Sequence, residues 1–396
     1  MRLLFVADGR SPIALDWIRY FVRRGDEVHL VSTFPSPALP GLVSFNVIPV
    51  AFSRIKGRQA QRTLLDQGTN QPPQTRSLSR LVPVRLRTGL RQWLGPLTIP
   101  GAARRLAELT KSIQPDLVHA MRIPYEGMLA AQANLPFPLI ISVWGNDFTL
   151  HARANPWMAA NTRLAMQRAG ALFTDCRRDL RLAVEWGYST DRPTLVVPGN
   201  GGVQLDIFYP PPEPIGTPTI INPRGFRAYL RSDTFFKAIP LVLAKLPTAH
   251  FLCAGMSGEP QALRWLEEYG IAENVELLPL QSRMEMAELF RRSQVAVSPS
   301  THDGTPNTLL EAMACGCFPV AGDIESLREW IQPGDNGFLV DPGDEHALAE
   351  AILQAFARPS LRQHAAQINR DLVTSRAEYL HGMQQAEKFY SMLVNK

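Results

Sequence analysis

Ser298-Pro-Ser-Thr-His-Asp-Gly-Thr-Pro-Asn-Thr-Leu-Leu-Glu-Ala-Met-Ala-Cys-Gly316 is the stretch on which the fold turns. The apolar run Val295–Ser298 ahead of it has the length of a buried strand, and a polar loop holding Asp303 and Gly304 follows. Thr305 is a good helix N-cap and Pro306 suits the first helical position, so a helix is expected over 306–315, ended by Gly316. The amides near Asn307 and Thr308 then lie at the positive end of the helix dipole, a natural seat for a phosphate. Glu311 stands among Leu309, Leu310, Ala312 and Met313. An acid in an apolar helix calls for a specific partner, such as a pair of hydroxyls. A capped helix whose Glu311 forms a salt bridge meets the Asp303–Glu311 spacing equally well; the whole string from Ser298 to Val320 is much harder to meet by chance.

Outward from this stretch, short apolar runs alternate with helix-period segments along most of the chain. The expected strands of the first half are Leu3–Ala7, Glu27–Val31, Phe45–Val50, Leu117–His119, Leu139–Val143, Ala171–Thr174 and Leu195–Val197. Those of the second half are Thr219–Ile221, His250–Ala254, Val275–Leu278, Val295–Ser298 and Phe318–Ala321. Continuous apolar strands alternating with helices argue parallel sheets covered on both faces. The proline-rich stretch 205–219 reads as a linker. The expected class is therefore α/β, with two Rossmann-like doubly wound domains. The expected bounds are 1–205, interrupted by a basic insertion at 52–98, then 206–376, and a final helical segment 377–396. In such folds the ligand crevice lies at the carboxyl ends of the strands.

The chain has 396 residues, room for two cores, and 45% hydrophobic content, ordinary for a folded protein. Its four cysteines are too few for a disulfide framework, and the Cys315–Cys317 pair lacks the second ligand pair of a zinc site. The apolar run at the start stops at Asp8, short for a signal peptide, and no run approaches the eighteen or so residues of a membrane span. A cytoplasmic location is the expectation. Charge is uneven: residues 1–205 carry a balance of +12 and residues 206–396 one of −7. Residues 54–105 hold eleven Lys/Arg and one acid, Asp66. Interleaved with apolar residues and Trp93, these arginines suit either a solvated cover or peripheral contact with an anionic membrane. No recognition motif supports nucleic-acid binding.

The stretch from Ser298 resembles the E-x7-E motif of glycosyltransferase family 4, with Asp303 and Glu311 at the two acidic positions and Ala-Met-Ala-Cys-Gly-Cys-Phe-Pro-Val as its continuation. The resemblance implies a GT-B fold: two domains facing a central cleft, the final helix returning to the first. It implies a retaining transferase that takes a sugar from a nucleotide-diphosphate donor, UDP- or GDP-linked, with no metal and no cofactor beyond the donor substrate. By the same resemblance Glu311 binds the ribose and Asp303 contacts the transferred sugar. The diphosphate is held at the helix start, by Gly304, Pro306, Asn307, Thr308 and Leu309, together with Arg224 and Arg231 of a loop similar to G-R-x4-K-G. Gly9 after the first strand stands where the family often has a glycine pair.

In the first half, Gln114-Pro-Asp-Leu-Val-His119-Ala-Met is similar to P-D-x-V-H-x-H, and Ile141-Ser-Val-Trp144-Gly-Asn-Asp147 to the H-G-x-D segment. His119 and Asp147 join Asp303 as catalytic candidates. His119 is as readily a hydrogen-bonded structural histidine. Met121 and Trp144 replace two histidines of the family, so no dedicated base is identifiable. The acceptor, a glycan, lipid-linked or small molecule, is expected on the first domain. Two alternatives stand: a sugar-nucleotide epimerase on the same fold, and a non-catalytic nucleotide-sugar-binding paralogue.

Overall fold

A computed structural model describes residues 1–51, 53, 92–213 and 216–395. Most of the basic insertion expected at 52–98 therefore lies outside the described residues. The chain divides into two compact units: residues 1–175, 179–200 and 383–396 form the first, and 176–178 with 201–382 the second.

The first unit runs β1 (Arg2–Ala7), α1 (Pro12–Arg24), β2 (Glu27–Ser32), β3 (Ser44–Val47), α2 (Ile99–Ile113), β4 (Leu117–Ala120), α3 (Met128–Ala133), β5 (Leu139–Val143), α4 (Pro156–Arg168), β6 (Ala171–Thr174), α5 (Arg177–Glu185) and β7 (Thr194–Val196). Its seven strands lie in the order β3-β2-β1-β4-β5-β6-β7 and every pairing is parallel. Leu3, Leu4, Phe5, Val6 and Ala7 of β1 have no exposed surface, which is why the strand reads as an unbroken apolar run rather than an alternating one. Local chemistry sets the helix ends: the Ser11 hydroxyl accepts from the Ala14 amide ahead of Pro12, and Gly25 takes the left-handed conformation at the far end of α1.

The second unit contains β8 (Thr219–Asn222), α6 (Ser232–Leu243), β9 (His250–Cys253), α7 (Pro260–Glu268), β10 (Val275–Leu277), α8 (Arg283–Arg291), β11 (Val295–Ser298), α9 (Asn307–Ala314), β12 (Phe318–Gly322), β13 (Phe338–Val340), α10 (Glu345–Ala357) and α11 (Pro359–Ala377). The strand order is β10-β9-β8-β11-β12-β13, again parallel throughout. A last helix, α12 (Tyr379–Val394), begins in the second unit, and from Met383 onward it belongs to the first.

Strand order reverses between β1 and β4 in the first unit and between β8 and β11 in the second. At such a switch point the connections leave to opposite faces and a crevice opens beyond the carboxyl ends of the strands. No described helix is long and apolar enough to cross a membrane.

Candidate functional site

Two loops flank the switch point of the second unit, 223–231 after β8 and 299–306 after β11. They are tied together: the Thr301 amide donates to the Tyr229 carbonyl at 2.9 Å and the Thr301 hydroxyl to the same oxygen at 3.2 Å. Across this junction the Arg224 guanidinium donates to Asp303 Oδ2, and the Ser300 hydroxyl donates to the same carboxylate oxygen at 2.8 Å. Both partners of the ion pair are largely shielded, with 16% and 12% of their side chains exposed. Shielding strengthens a charge pair, and removing either member alone leaves the other charge uncompensated.

The 299–306 loop is fixed from a third direction. Arg178, in the short 176–178 segment that belongs to the second unit, donates from Nη1 to the Asp303 carbonyl at 2.6 Å and to Ser326 Oγ at 3.1 Å, while the Ser326 hydroxyl donates to that carbonyl at 2.7 Å. The Glu329 carboxylate accepts the amides of Arg177 and Arg178 at 2.9 and 3.0 Å. Sequence reasoning missed Arg178 because it lies 125 residues from its partner and carries no motif.

Helix α9 opens directly from this loop. Thr305 does not cap it: its hydroxyl accepts the Trp330 indole N–H at 2.9 Å, and Pro306 occupies the capping position without a side-chain bond. The amides of Leu309 and Leu310 turn back onto the Pro306 carbonyl at 3.0 and 3.3 Å. Leu309 is thereby removed from the expected set of open amides, leaving Asn307 and Thr308 as the donors at the helix start. Asn307, Thr308 and Glu311 share the partly exposed side of α9, while Leu309, Leu310, Ala312, Met313 and Ala314 are buried. Gly304 and Pro306 are buried in the loop that leads to them.

Arg231 has an acidic partner of its own. It adopts a left-handed backbone at the entry to α6, and its Nε and Nη2 donate to the two oxygens of Asp233, both at 3.0 Å. Asp341 and Glu345 also face it. Arg224 is thus paired with Asp303 in the loop that leads into α9, and Arg231 with Asp233 at the entry to α6.

At the switch point of the first unit, Gly9 donates its amide to Ser32 Oγ at 3.0 Å, and a Cβ there would come within 2.3 Å of Ser36 Oγ. A side chain at position 9 would have to displace the Ser32 and Ser36 hydroxyls. His119 is a correction to the catalytic expectation. Its ring has no exposed surface, Nδ1 is paired with the Tyr390 hydroxyl, and Nε2 meets Ser142 Oγ at 2.8 Å. Burial pulls it down to about 3, so it is neutral and both nitrogens are engaged.

Asp147 is likewise structural in its geometry. It is fully buried, pairs with Arg122 at 2.8 Å and accepts the amides of Ile123 and Trp144, each at 3.1 Å. It thereby pins the loop after β4 to the loop after β5.

Glu126, which sequence reasoning did not single out, is 3% exposed and accepts the Thr33 hydroxyl at 2.5 Å. Burial pushes it up to about 7, against a smaller opposing pull from Arg122. The neighbouring Tyr125 sits at φ 72°, ψ −56°, a sparsely populated conformation for a residue with a side chain.

Residues 9–200 match the glycosyl transferase 4-like domain, and residues 219–358 match glycosyl transferases group 1. A D-inositol 3-phosphate glycosyltransferase of Mycolicibacterium smegmatis is 31% identical over 199 residues, 46% of this chain and 46% of that protein. One from Thermobispora bispora is 27% identical over 186 residues, 42% of this chain and 44% of that one. The chain thus spans less than half the length of these curated relatives. Sucrose-phosphate synthase of Thermosynechococcus elongatus superposes with a TM-score of 0.75 at 16% identity, covering 99% of each chain. Anabaena HepE, solved in complex with UDP, does so with a TM-score of 0.70 at 17% identity, covering 99% of this chain and 100% of that one. At these identities the likeness is one of fold, GT-B.

Proposed function

We propose, from the premise that this chain belongs to the glycosyl transferase 4-like family with a group 1 second domain, that it moves a sugar from a nucleoside-diphosphate donor to an acceptor with retention at the anomeric carbon. The observation that carries the reading is the convergence at the switch point of the second unit: the Arg224–Asp303 pair and the α9 start share one loop junction. Arg224 and the amides of Asn307 and Thr308 supply positive potential for a diphosphate. In this reading Glu311, four residues along the same face, takes the two ribose hydroxyls, and Asp303 a sugar hydroxyl. The UDP complex of the structural neighbour supports a uridine-linked donor.

The chemistry follows from that electrostatics. Breaking the sugar–phosphate bond leaves charge on the departing diphosphate, which Arg224 and the helix start stabilise. The acceptor hydroxyl attacks from the face the diphosphate leaves, and a phosphate oxygen takes its proton. This scheme needs no protein base, consistent with His119 and Asp147 being committed to the core of the first unit. The acceptor is assigned to the first unit.

A thermal-shift series with UDP, GDP, ADP and TDP on wild type and Glu311→Ala tests the donor site. A nucleotide at about 100 times its dissociation constant should stabilise the fold by roughly 2.7 kcal/mol. One nucleotide should give the shift, and Glu311→Ala should lose it. The absence of a shift with all four, from folded protein, would sink the proposal.

A further inference from the structure

The first unit leaves four large apolar side chains exposed on neighbouring segments. Trp93 is 55% exposed, Leu97 64%, Trp157 54% and Leu94 39%. Two of them are indoles, a side chain that folded proteins bury for the most part. The segments are joined: the Asn155 amide donates to the Gln92 carbonyl at 3.0 Å, and the Gln92 amide lies 3.4 Å from His151 Nδ1. Trp93 is the residue after Gln92 and Trp157 is two residues after Asn155, so this joint ties together the two segments that carry the indoles.

Charge accompanies the apolar side chains. Leu97, Gly101, Arg104 and Arg105 are all exposed and follow helical spacing, which puts the two arginines on the stripe that starts at Leu97. Arg153 is exposed just before the Trp157 segment. Glu108, a turn further along α2, is the acid nearest on that stripe. In sequence, residues 54–91, which precede this segment, carry nine Lys/Arg and one acid. Indoles and leucines beside the exposed Arg104, Arg105 and Arg153 suit a surface that is apolar below and anionic above. Indole rings settle at the headgroup level of a bilayer, leucines reach the acyl boundary, and arginines pair with lipid phosphates.

We infer that Trp93, Leu94, Leu97 and Trp157, with Arg104, Arg105 and Arg153 around them, form a peripheral docking surface for an anionic lipid bilayer. The inference stands apart from the transferase reading, since it uses neither the donor loops nor the switch points.

The test is co-sedimentation of the full chain with vesicles of phosphatidylcholine alone and of phosphatidylcholine with roughly one-third phosphatidylglycerol. The wild type should sediment with the second and weakly with the first. The double variant Trp93→Ala, Trp157→Ala should lose about tenfold or more in partitioning, the fold-change of withdrawing large apolar side chains. Leu97→Glu, which keeps both indoles, should weaken binding to the anionic vesicles more than to the neutral ones. Leu280→Ala, at an exposed leucine of the second unit, should change nothing. Circular dichroism checks that each variant folds. Three outcomes overturn the assignment: no binding to anionic vesicles by the wild type; binding that survives the double variant and falls only with salt; or a wild-type dimer that the double variant converts to monomer without vesicle binding, which assigns the surface to a second copy of the chain.

Discussion

His119 and Glu126 are both buried in the first unit, and burial drives them in opposite directions. His119 falls to about 3 from 6.5, and Glu126 rises to about 7 from 4.5. The folded chain keeps the Glu126 proton where the unfolded chain has lost it, so stability falls as pH rises from about 4.5 to about 7. The folded chain keeps His119 neutral where the unfolded ring is charged, so stability also falls as pH drops from about 6.5 towards about 3. The two limbs overlap from about 4.5 to about 6.5, where their opposite slopes offset one another, so the first unit should be most stable across that range. Glu126→Gln keeps an acceptor for Thr33 and removes the titration. It should therefore gain on wild type by up to roughly 3 kcal/mol between about pH 5 and about pH 8. Urea midpoints at the two pH values decide it, and parallel pH profiles for both proteins would refute the assignment. Neither residue announced this behaviour. His119 sits in a motif that drew it towards catalysis, and only the hydroxyls of Ser142 and Tyr390, 23 and 271 residues away, show where its nitrogens go.

At the scale of elements, much of the architecture was readable. Leu139–Val143, Ala171–Thr174 and Val295–Ser298 are strands at the expected bounds, because each is buried among apolar neighbours and flanked by loop residues. Strand β13 escaped, being three residues long at the edge of its sheet. The α9 segment was legible at its end and misread at its start. Gly316 does close the helix with φ +85°. A Cβ there would meet only Ala366 Cβ at 3.7 Å and Pro210 Cβ at 3.9 Å, ordinary contacts. Gly316→Ala should therefore cost about 1 kcal/mol from backbone strain alone. The cost is read from the urea midpoint of the second unit, and nucleotide affinity should be unchanged. A clash-sized loss, or none, would show that the left-handed turn is not what the glycine supplies. The loop ahead of α9 responds differently. Arg178→Ala removes the guanidinium that holds the Asp303 carbonyl. Calorimetric titration should show nucleotide binding about tenfold weaker, equivalent to the loss of one charge-assisted hydrogen bond. Unchanged affinity would mean that the loop keeps its position without Arg178.

For the whole molecule, the division into units makes the last turns of α12 part of the first domain's core. Tyr390 has no exposed surface, stacks on Phe21 with ring centroids 4.7 Å apart, and accepts the Trp17 indole N–H at 2.9 Å. Phe389 packs against Phe173 at 5.0 Å. A fragment of residues 1–200 therefore lacks an aromatic layer, and it leaves the Trp17 Nε1 and His119 Nδ1 hydrogen bonds unmade inside an apolar core. Cavity and desolvation costs act together there, several kcal/mol against a domain's usual margin of about 5–15 kcal/mol. The fragment should be poorly packed, with weak near-ultraviolet dichroism and a broad melting transition. A peptide of residues 379–396 added in trans should restore both signals with saturable, concentration-dependent binding, because it returns the stacked ring and the shared hydroxyl. The same peptide carrying Tyr390→Phe returns the ring without the hydroxyl and should bind about tenfold more weakly, since the indole and imidazole nitrogens stay unsatisfied. Equal binding by the two peptides would place the contribution of Tyr390 in its ring alone. A fragment that melts sharply with no peptide would show that residues 1–200 close their own core.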